Sequence, residues 1–209
     1  MIDAVETRTI IRLLRHGEST WNAARRVQGQ NASAGPLTPR GEQEAEAAAE
    51  QFAVKAPRAR IVVSSDLPRA LETAVIVARR LNRDIETDPA LREQALGVLE
   101  GQVVGPEVTR EFNRLWREPW PGPEGGESVA DLYLRVRNAL SGIAERWPGV
   151  EVIAVTHGGP IRAAIAACGG GVIEMRRSRV DNVAMFAVQV SRPRMGRSRV
   201  SALAANSDV

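Results

Sequence analysis

The chain has 209 residues, with 28 basic against 25 acidic side chains and a net charge of +3. That length suits one domain over 1–209, and the near-balance of charge argues against a nucleic-acid binder. Lys55 is the only lysine, so nearly all positive charge is arginine, the side chain suited to bidentate phosphate contacts. Cys168 stands alone, which excludes an intrachain disulfide and fits a reducing compartment. The segment from Met1 to Thr9 does not read as a signal peptide. No run approaches the about 20 apolar residues of a membrane helix, so a soluble, cytoplasmic protein is expected, with no membrane partner.

Short apolar runs alternate with helical patterns along the chain. Ile10 to Leu14 reads as a buried strand. Thr38-Pro39 looks like an N-cap followed by proline at the first helical position, and Ala45, Ala48, Ala49 and Phe52 follow at helical spacing. Arg60 to Ser64 is a second strand. Leu67, Ala70, Leu71, Ala74, Ala78 and Leu81 mark the next helix, and a weak strand runs through Ile85 to Thr87.

Residues 98–126 break the alternation. They are rich in proline and glycine, with one helical patch from Val108 to Trp116, and read as a lid-like excursion over one end of the sheet. Ser128 and Asp131 form a capping-box pattern, ahead of a long amphipathic helix through Val129, Leu132, Val136, Leu140, Ile143 and Trp147. Glu151 to Thr156 is a strand and Pro160 to Cys168 a helix. Val183 to Val190 and Arg199 to Ala204 read as strands. The short loop between them, Arg192 to Arg197, implies antiparallel pairing.

This order implies an α/β protein: a three-layer α/β/α sandwich with a mainly parallel sheet carrying an antiparallel edge strand. An edge strand is open to pairing into a homodimer. Ligands of such sheets bind outside the carboxyl ends of the strands. Three polar clusters fall there: Arg15-His16, Ser64-Ser65-Asp66 and Thr156-His157. One crevice can collect all three.

The chain has only two histidines, and each ends a strand and precedes glycine. His16 follows an arginine directly. A neutral imidazole attacks phosphorus at neutral pH, where a serine would need a separate base. One ring nitrogen must be free to attack while the other donates to a carbonyl. Arg15 can fork onto phosphate oxygens. No Asp/His/Cys cluster has metal-ligand spacing, and no Walker-type glycine loop appears.

Arg15-His16-Gly17-Glu18-Ser19-Thr20-Trp21-Asn22 resembles the signature of the histidine phosphatase superfamily, in its phosphoglycerate mutase-like branch. Five further segments match in family order: Leu37 to Gly41, Ser64 to Ala70, Leu91 to Glu93 with Gly97 and Glu100-Gly101, Gly125 to Ser128, and Thr156 to Gly159. The resemblance implies a phosphoglycerate mutase-like fold and a set of roles. Arg69 is the second phosphate arginine. His157 contacts the transferring phosphoryl group as an imidazolium donor, and Asn22 donates its amide to it. Gly158 and Gly159 let backbone approach the anion at a helix N-terminus. Glu93 is the general acid and base. Glu18 and Glu127 pair with arginines behind the site. Phe112, Trp116 and Trp120 either line the substrate pocket or pack the lid onto the body.

The resulting expectation is a phosphomonoesterase for a small phosphorylated metabolite, working through phosphohistidine on His16 without metal or other cofactor. Charge neutralisation falls to Arg15, Arg69 and His157. The alternatives are a cofactor-dependent phosphoglycerate mutase, a phosphoprotein phosphatase with an open pocket, and a non-catalytic phosphate-binding regulator. Against the mutase stands the acid segment. The family's mutases resemble one another in a Glu-Arg-His-Tyr-Gly segment there, whereas Arg92-Glu93-Gln94-Ala95-Leu96-Gly97 lacks the arginine and tyrosine after the acid.

Overall fold

The structure is a computed structural model that describes residues 7–117, 122–170, 180–192 and 198–203. In chain order the strands and helices are β1 (Thr7–Arg15), α1 (Thr20–Ala23), α2 (Pro39–Lys55), β2 (Ala59–Ser64), α3 (Pro68–Leu81) and β3 (Asp84–Thr87). There follow α4 (Pro106–Arg117), α5 (Val129–Arg146), β4 (Glu151–Thr156), α6 (Gly158–Ile165), β5 (Met185–Arg192) and β6 (Arg199–Ala202). They build a six-stranded sheet in the order β3-β2-β4-β1-β5-β6. The first four of these run parallel, while β5 pairs antiparallel with β1 and β6 with β5. The carboxyl ends of β1, β2 and β4 therefore lie side by side, with Leu14 opposite Val155 and Ser64 opposite the same residue.

Alternation along the strands divides the core in two. Ile11, Leu13, Val152 and Ala154 point to the face covered by α5 and α6, through Leu132, Val136, Leu140, Ile143 and Ile161. Leu14, Val62, Ile153 and Val155 point to the other face, covered by α2 and α3 through Ala48, Ala49, Phe52, Ala70, Ala74 and Val77. Alanine and valine, with isoleucine and leucine, fill most of both cores, in keeping with the scarcity of aromatics. The 98–126 excursion makes a third, smaller cluster: Val108 and Leu115 of α4 close on Val27, Leu96 and Leu99.

The helix starts follow their capping chemistry. Thr38 accepts the amide of Gly41 on its side-chain oxygen, with Pro39 opening α2. The Ser128 hydroxyl accepts the amide of Asp131, but the Asp131 carboxylate bonds back to that hydroxyl at 2.6 Å rather than to the Ser128 backbone. The capping box expected there is thus half formed. Helix α6 begins at Gly158, two residues earlier than expected. Pro160 sits within its first turn, where no amide donor is needed. Strand β5 begins at Met185 rather than Val183, because Val183 adopts φ 51° in a turn closed by Ala184 N–H to Asp181 O. The four-residue helix α1, capped by Ser19, has no apolar periodicity and was not foreseen. The loop at 193–197 and the expected end of the last strand at Ala204 lie outside the described residues.

One close approach fixes where His16 sits. A Cβ on Gly17 would overlap the carbonyl oxygen of Gly41, and a Cβ on Gly41 would overlap that of Glu18. The N-terminus of α2 thus lies backbone against backbone on the segment after β1, and Thr38 N–H donates to Glu18 O at 2.9 Å. Backbone cannot yield as a side chain can. Gly41→Ala is therefore expected to cost about 1–3 kcal/mol in urea unfolding. Gly142→Ala, inside α5 where a Cβ meets only Arg146 Nη1 at 3.7 Å, is expected to stabilise by about 0.5–1 kcal/mol. Equal effects of the two substitutions would contradict the packing argument.

Candidate active site

Arg15 closes β1 and His16 follows it. The register of the sheet is kept one residue past the strand, with His16 N–H donating to Thr156 O at 3.0 Å. The His16 ring is 2% exposed. Its Nδ1 lies 2.7 Å from the carbonyl of Gly17, and its Nε2 receives Arg69 Nε at 3.2 Å. A carbonyl can only accept, and a guanidinium can only donate. The proton is therefore on Nδ1, and Nε2 carries the lone pair. This is the tautomer that the sequence reading requires of a nucleophile. Thr73 of α3 steadies the turn: its hydroxyl accepts from Gly17 N–H at 3.1 Å and donates to Arg69 O at 2.8 Å.

Arg69 lies in the first turn of α3 and is 1% exposed. Besides His16, it gives Nη2 to Gly29 O at 2.9 Å, while its Nη1 is buried with no hydrogen-bond partner among the described residues. Arg15 gives Nη1 to Val180 O at 2.7 Å, and its Nε is likewise buried and unpartnered among them. Burial lowers the pKa of both guanidiniums, Arg69 to about 10, opposed by the nearby Glu93 carboxylate. Two buried cations with donors to spare describe a place for an anion.

His157 caps β4 and is fully buried, its ring centroid 5.1 Å from that of His16 at an interplanar angle of 60°. Its Nε2 is 2.8 Å from the Ser65 hydroxyl, which also accepts Leu67 N–H at 3.3 Å. Either group can donate in the His157–Ser65 bond, and His157 Nδ1 is buried with no hydrogen-bond partner among the described residues. The expectation of an imidazolium needs correction for the unliganded site. Burial first, then Arg69, His16 and Arg15, hold His157 well below the usual 6.5. His16 is depressed likewise, by burial, then Arg69, then Arg15. His157 is neutral here.

The N-terminus of α6 also differs from expectation. Gly159 N–H donates to the Glu93 carboxylate, at 3.0 Å to Oε1 and 3.3 Å to Oε2. The helix end that was expected to face phosphate is thus occupied by the acid itself. A Cβ on Gly159 would overlap Glu93 Oε1, and one on Gly158 would come within 3.5 Å of Arg162 Nη1 and 4.0 Å of Arg15 Nε. Asn22 turns its Oδ1 to the Ser19 amide and hydroxyl, at 3.1 Å each. It is both a cap and a wall of the cavity.

The cavity, about 220 Å³, is lined by Arg15, His16, Asn22, Arg69, Glu93 and Gly159 of the expected set. Sequence reasoning missed Arg26, Gln28, Gln94 and Arg162, which line it too. Arg162 could have been found: it falls four residues after Gly158, and helical side chains lean back toward the N-terminus. Phe112 and Val104 bring the excursion into the wall. The side chain of Trp116 and all of Trp120 lie outside the described residues. Of the expected rear pairs, Glu127 forks onto Arg135 at 2.6 and 2.8 Å. Glu18 is held by the Thr38 hydroxyl at 2.9 Å and is 3.8 Å from Arg40. Asp66 is bound by both ends of Arg92. Among the described residues no group of three His, Cys, Asp or Glu is placed to hold a metal ion, and no helix is long and apolar enough to cross a membrane.

The family model of the histidine phosphatase superfamily (branch 1) matches residues 11–201. Phosphoglycerate mutase-like protein 4 of Arabidopsis thaliana is 39% identical over 158 residues, 72% of this chain and 67% of that protein. The probable phosphoglycerate mutase GpmB of Escherichia fergusonii is 40% identical over 153 residues, 70% and 68% of the two chains. Among solved structures, a mycobacterial glucosyl-3-phosphoglycerate phosphatase complexed with VO3 superposes with TM-score 0.77 at 26% identity, covering 95% of this chain and 99% of that one. YhfR of Bacillus stearothermophilus gives 0.76 at 28% identity, covering 96% and 98%.

The two depressed histidines make stability depend on pH. Below about 6.5 the unfolded chain binds protons at both rings while the folded chain does not. Stability is full above that pH and falls as pH drops through it, by about 1.4 kcal/mol per unit for each histidine. Urea unfolding between pH 7.5 and 5.5 should show a shallower pH slope in His157→Asn than in the unsubstituted chain. Identical slopes would show that His157 is not held neutral.

Proposed function

The chain belongs to branch 1 of the histidine phosphatase superfamily, and from that premise we propose that it is a phosphatase that hydrolyses small phosphomonoesters through phosphohistidine on His16. One observation carries this reading: His16 Nε2 carries the ring's lone pair, met by Arg69 Nε at 3.2 Å, beside two guanidiniums that each still have a buried donor unsatisfied among the described residues. We read the whole of 1–209 as one domain, the 98–126 excursion as its roof, and the cytoplasm as its place of work.

The substrate phosphoryl group takes the free donors of Arg15 and Arg69, the Asn22 amide and the His157 Nδ1–H, next to Gly158. His16 Nε2 then forms a bond to phosphorus as the bond to the leaving oxygen breaks. Glu93 delivers a proton to that oxygen. In the second half, Glu93 takes a proton from water, the water oxygen bonds phosphorus, and the N–P bond breaks to free phosphate and restore the imidazole. The developing charge meets donors already oriented, which is the main source of acceleration in such sites. No step calls for a metal, a cofactor, a nucleic acid or a membrane.

The solved neighbours named for glucosyl-3-phosphoglycerate phosphatase and for phosphoserine phosphatase support hydrolysis of a small phosphorylated metabolite. Phosphoglycerate mutase is the second reading, favoured by the names of the relatives at 38–40% identity. Against it, the residue after the acid is Gln94, whose Nε2 is taken by Glu127 O at 2.8 Å. The described residues of the excursion add Val104 and Phe112 to the cavity wall and no cation.

His16→Ala is expected to abolish turnover of p-nitrophenyl phosphate while leaving the circular dichroism unchanged, and the unsubstituted enzyme should retain an acid-labile, base-stable phosphoryl group after reaction with labelled substrate. Retained turnover in the variant would overturn the nucleophile. Dialysis against EDTA should leave activity intact; loss restored by magnesium or zinc would overturn the metal-free reading. A coupled enolase assay stimulated by 2,3-bisphosphoglycerate above the hydrolytic rate would favour the mutase.

A further inference from the structure

A guanidinium has five N–H donors, and in Arg135 all five are committed. This arginine lies in the middle of α5, well behind the cavity. Nε and Nη2 fork onto Glu127, at 2.8 Å to Oε1 and 2.6 Å to Oε2. Nη1 donates to two carbonyls, Ala90 O and Arg92 O, at 2.9 Å each. The remaining Nη2 hydrogen goes to Glu93 O at 3.2 Å. One side chain thus gathers three carbonyls from four successive residues, the last of them Glu93.

That stretch belongs to no strand or α-helix. It is a 3₁₀ turn from Pro89 to Leu91 followed by irregular chain. Leu91 is buried in the core and Arg92 is forked onto Asp66, while two further side chains hold the stretch's carbonyls. Gln30 Nε2 donates to Glu93 O at 2.9 Å, and Thr156 Oγ1 to Leu91 O at 2.6 Å. Glu127, which aims the guanidinium, is itself laced to the acid segment by Glu127 N–H to Ala95 O and Gln94 Nε2 to Glu127 O, both 2.8 Å. None of these bonds reaches the Glu93 carboxylate, which among the described residues accepts from the amides of Gly159 and Gln94. Arg135 sets where the Glu93 side chain departs from the backbone and leaves its carboxylate to the site.

We propose that Arg135, aimed by Glu127, is the positioning residue of Glu93. The inference rests on the reading of Glu93 as general acid given above. A lysine cannot replace it: an ammonium has three donors and no planar fork. An ordinary ion pair on a helix would affect stability alone. A positioning residue must affect the step that Glu93 performs, and only through Glu93.

The test compares kcat/KM for p-nitrophenyl phosphate and phenyl phosphate, whose poorer leaving group needs the proton more, in four purified proteins: unsubstituted, Glu93→Gln, Arg135→Met and the double variant. Arg135→Met is expected to lose about 10²-fold on phenyl phosphate, the scale of a misplacement near 1 Å, and clearly less on p-nitrophenyl phosphate. In the Glu93→Gln background the same substitution should cost little more, because the group it positions is gone. Circular dichroism and a thermal melt report folding; if Arg135→Met does not fold, Arg135→Lys carries the test, with a smaller loss of the same pattern. Equal losses on both substrates, or a full additional loss in the double variant, overturn the inference while Glu93 keeps its role. Equal losses in Glu93→Gln itself overturn the acid assignment and the inference with it. No turnover of either ester by the unsubstituted protein overturns the phosphatase reading first.

Discussion

Two guanidiniums buried beside two imidazoles form the constraint on which the rest of the structure depends. Removing an ion from water costs several kcal/mol even after relaxation. Arg69 is almost wholly buried and Arg15 partly so, and each keeps a buried donor without a partner among the described residues. The carboxylate acting most strongly on both is Glu93, and it is hydrogen-bonded to the amides of Gly159 and Gln94 rather than to either arginine. The histidines answer this positive field by staying neutral. That neutrality gives His16 a lone pair and leaves His157 without a charge. An arriving phosphoryl dianion supplies the opposite charge that the protein withholds.

The fold makes this expensive arrangement affordable by placing it at one edge of a stable frame. Strands β1, β2 and β4 are parallel neighbours, so His16, Ser65 and His157 fall on one rim without any long-range search. Two apolar faces, each packed by two helices, hold the strands. The rim is then fixed by short local devices. The Gly17 and Gly41 backbones touch, Thr73 bridges the His16 turn to α3, and Gly29 turns its carbonyl to Arg69. At Gly29, φ is +51° and a Cβ would overlap the Glu100 carboxylate, so glycine is needed both for the turn and for the contact. Glu100 accepts from Gln30 N–H and Leu96 N–H, joining the two loops on either side of the cavity.

Much of this was legible in the sequence for a definite reason. Strands that end in Arg15-His16 and Thr156-His157 declare both the element and the chemistry, because an apolar run stops where polar groups must face a ligand. The long helices announce themselves by period and cap. What stayed hidden depends on contacts between distant segments. Arg135 looks like any exposed-face arginine of an amphipathic helix until the 90–93 turn is seen folded onto it. Thr73 and Gln30 are ordinary polar residues whose partners lie 56 and 63 positions away. The occupation of the α6 terminus by Glu93 was missed because the sequence shows that a helix end wants an anion, not which anion arrives in the empty site. The neutral state of His157 was missed because it depends on burial and on two arginines from other strands and helices.

The central claim is that the buried, unsatisfied cations form a site for a phosphoryl dianion. It is tested most directly by urea unfolding at pH 7.5 in rising inorganic phosphate at constant ionic strength. A ligand that binds only the folded chain stabilises it by RT ln(1 + [L]/Kd), about 2.7 kcal/mol at a hundredfold excess over Kd. The account predicts a saturable rise in the unfolding midpoint that is lost in Arg69→Met. A midpoint indifferent to phosphate, or one that rises equally in Arg69→Met, would contradict it.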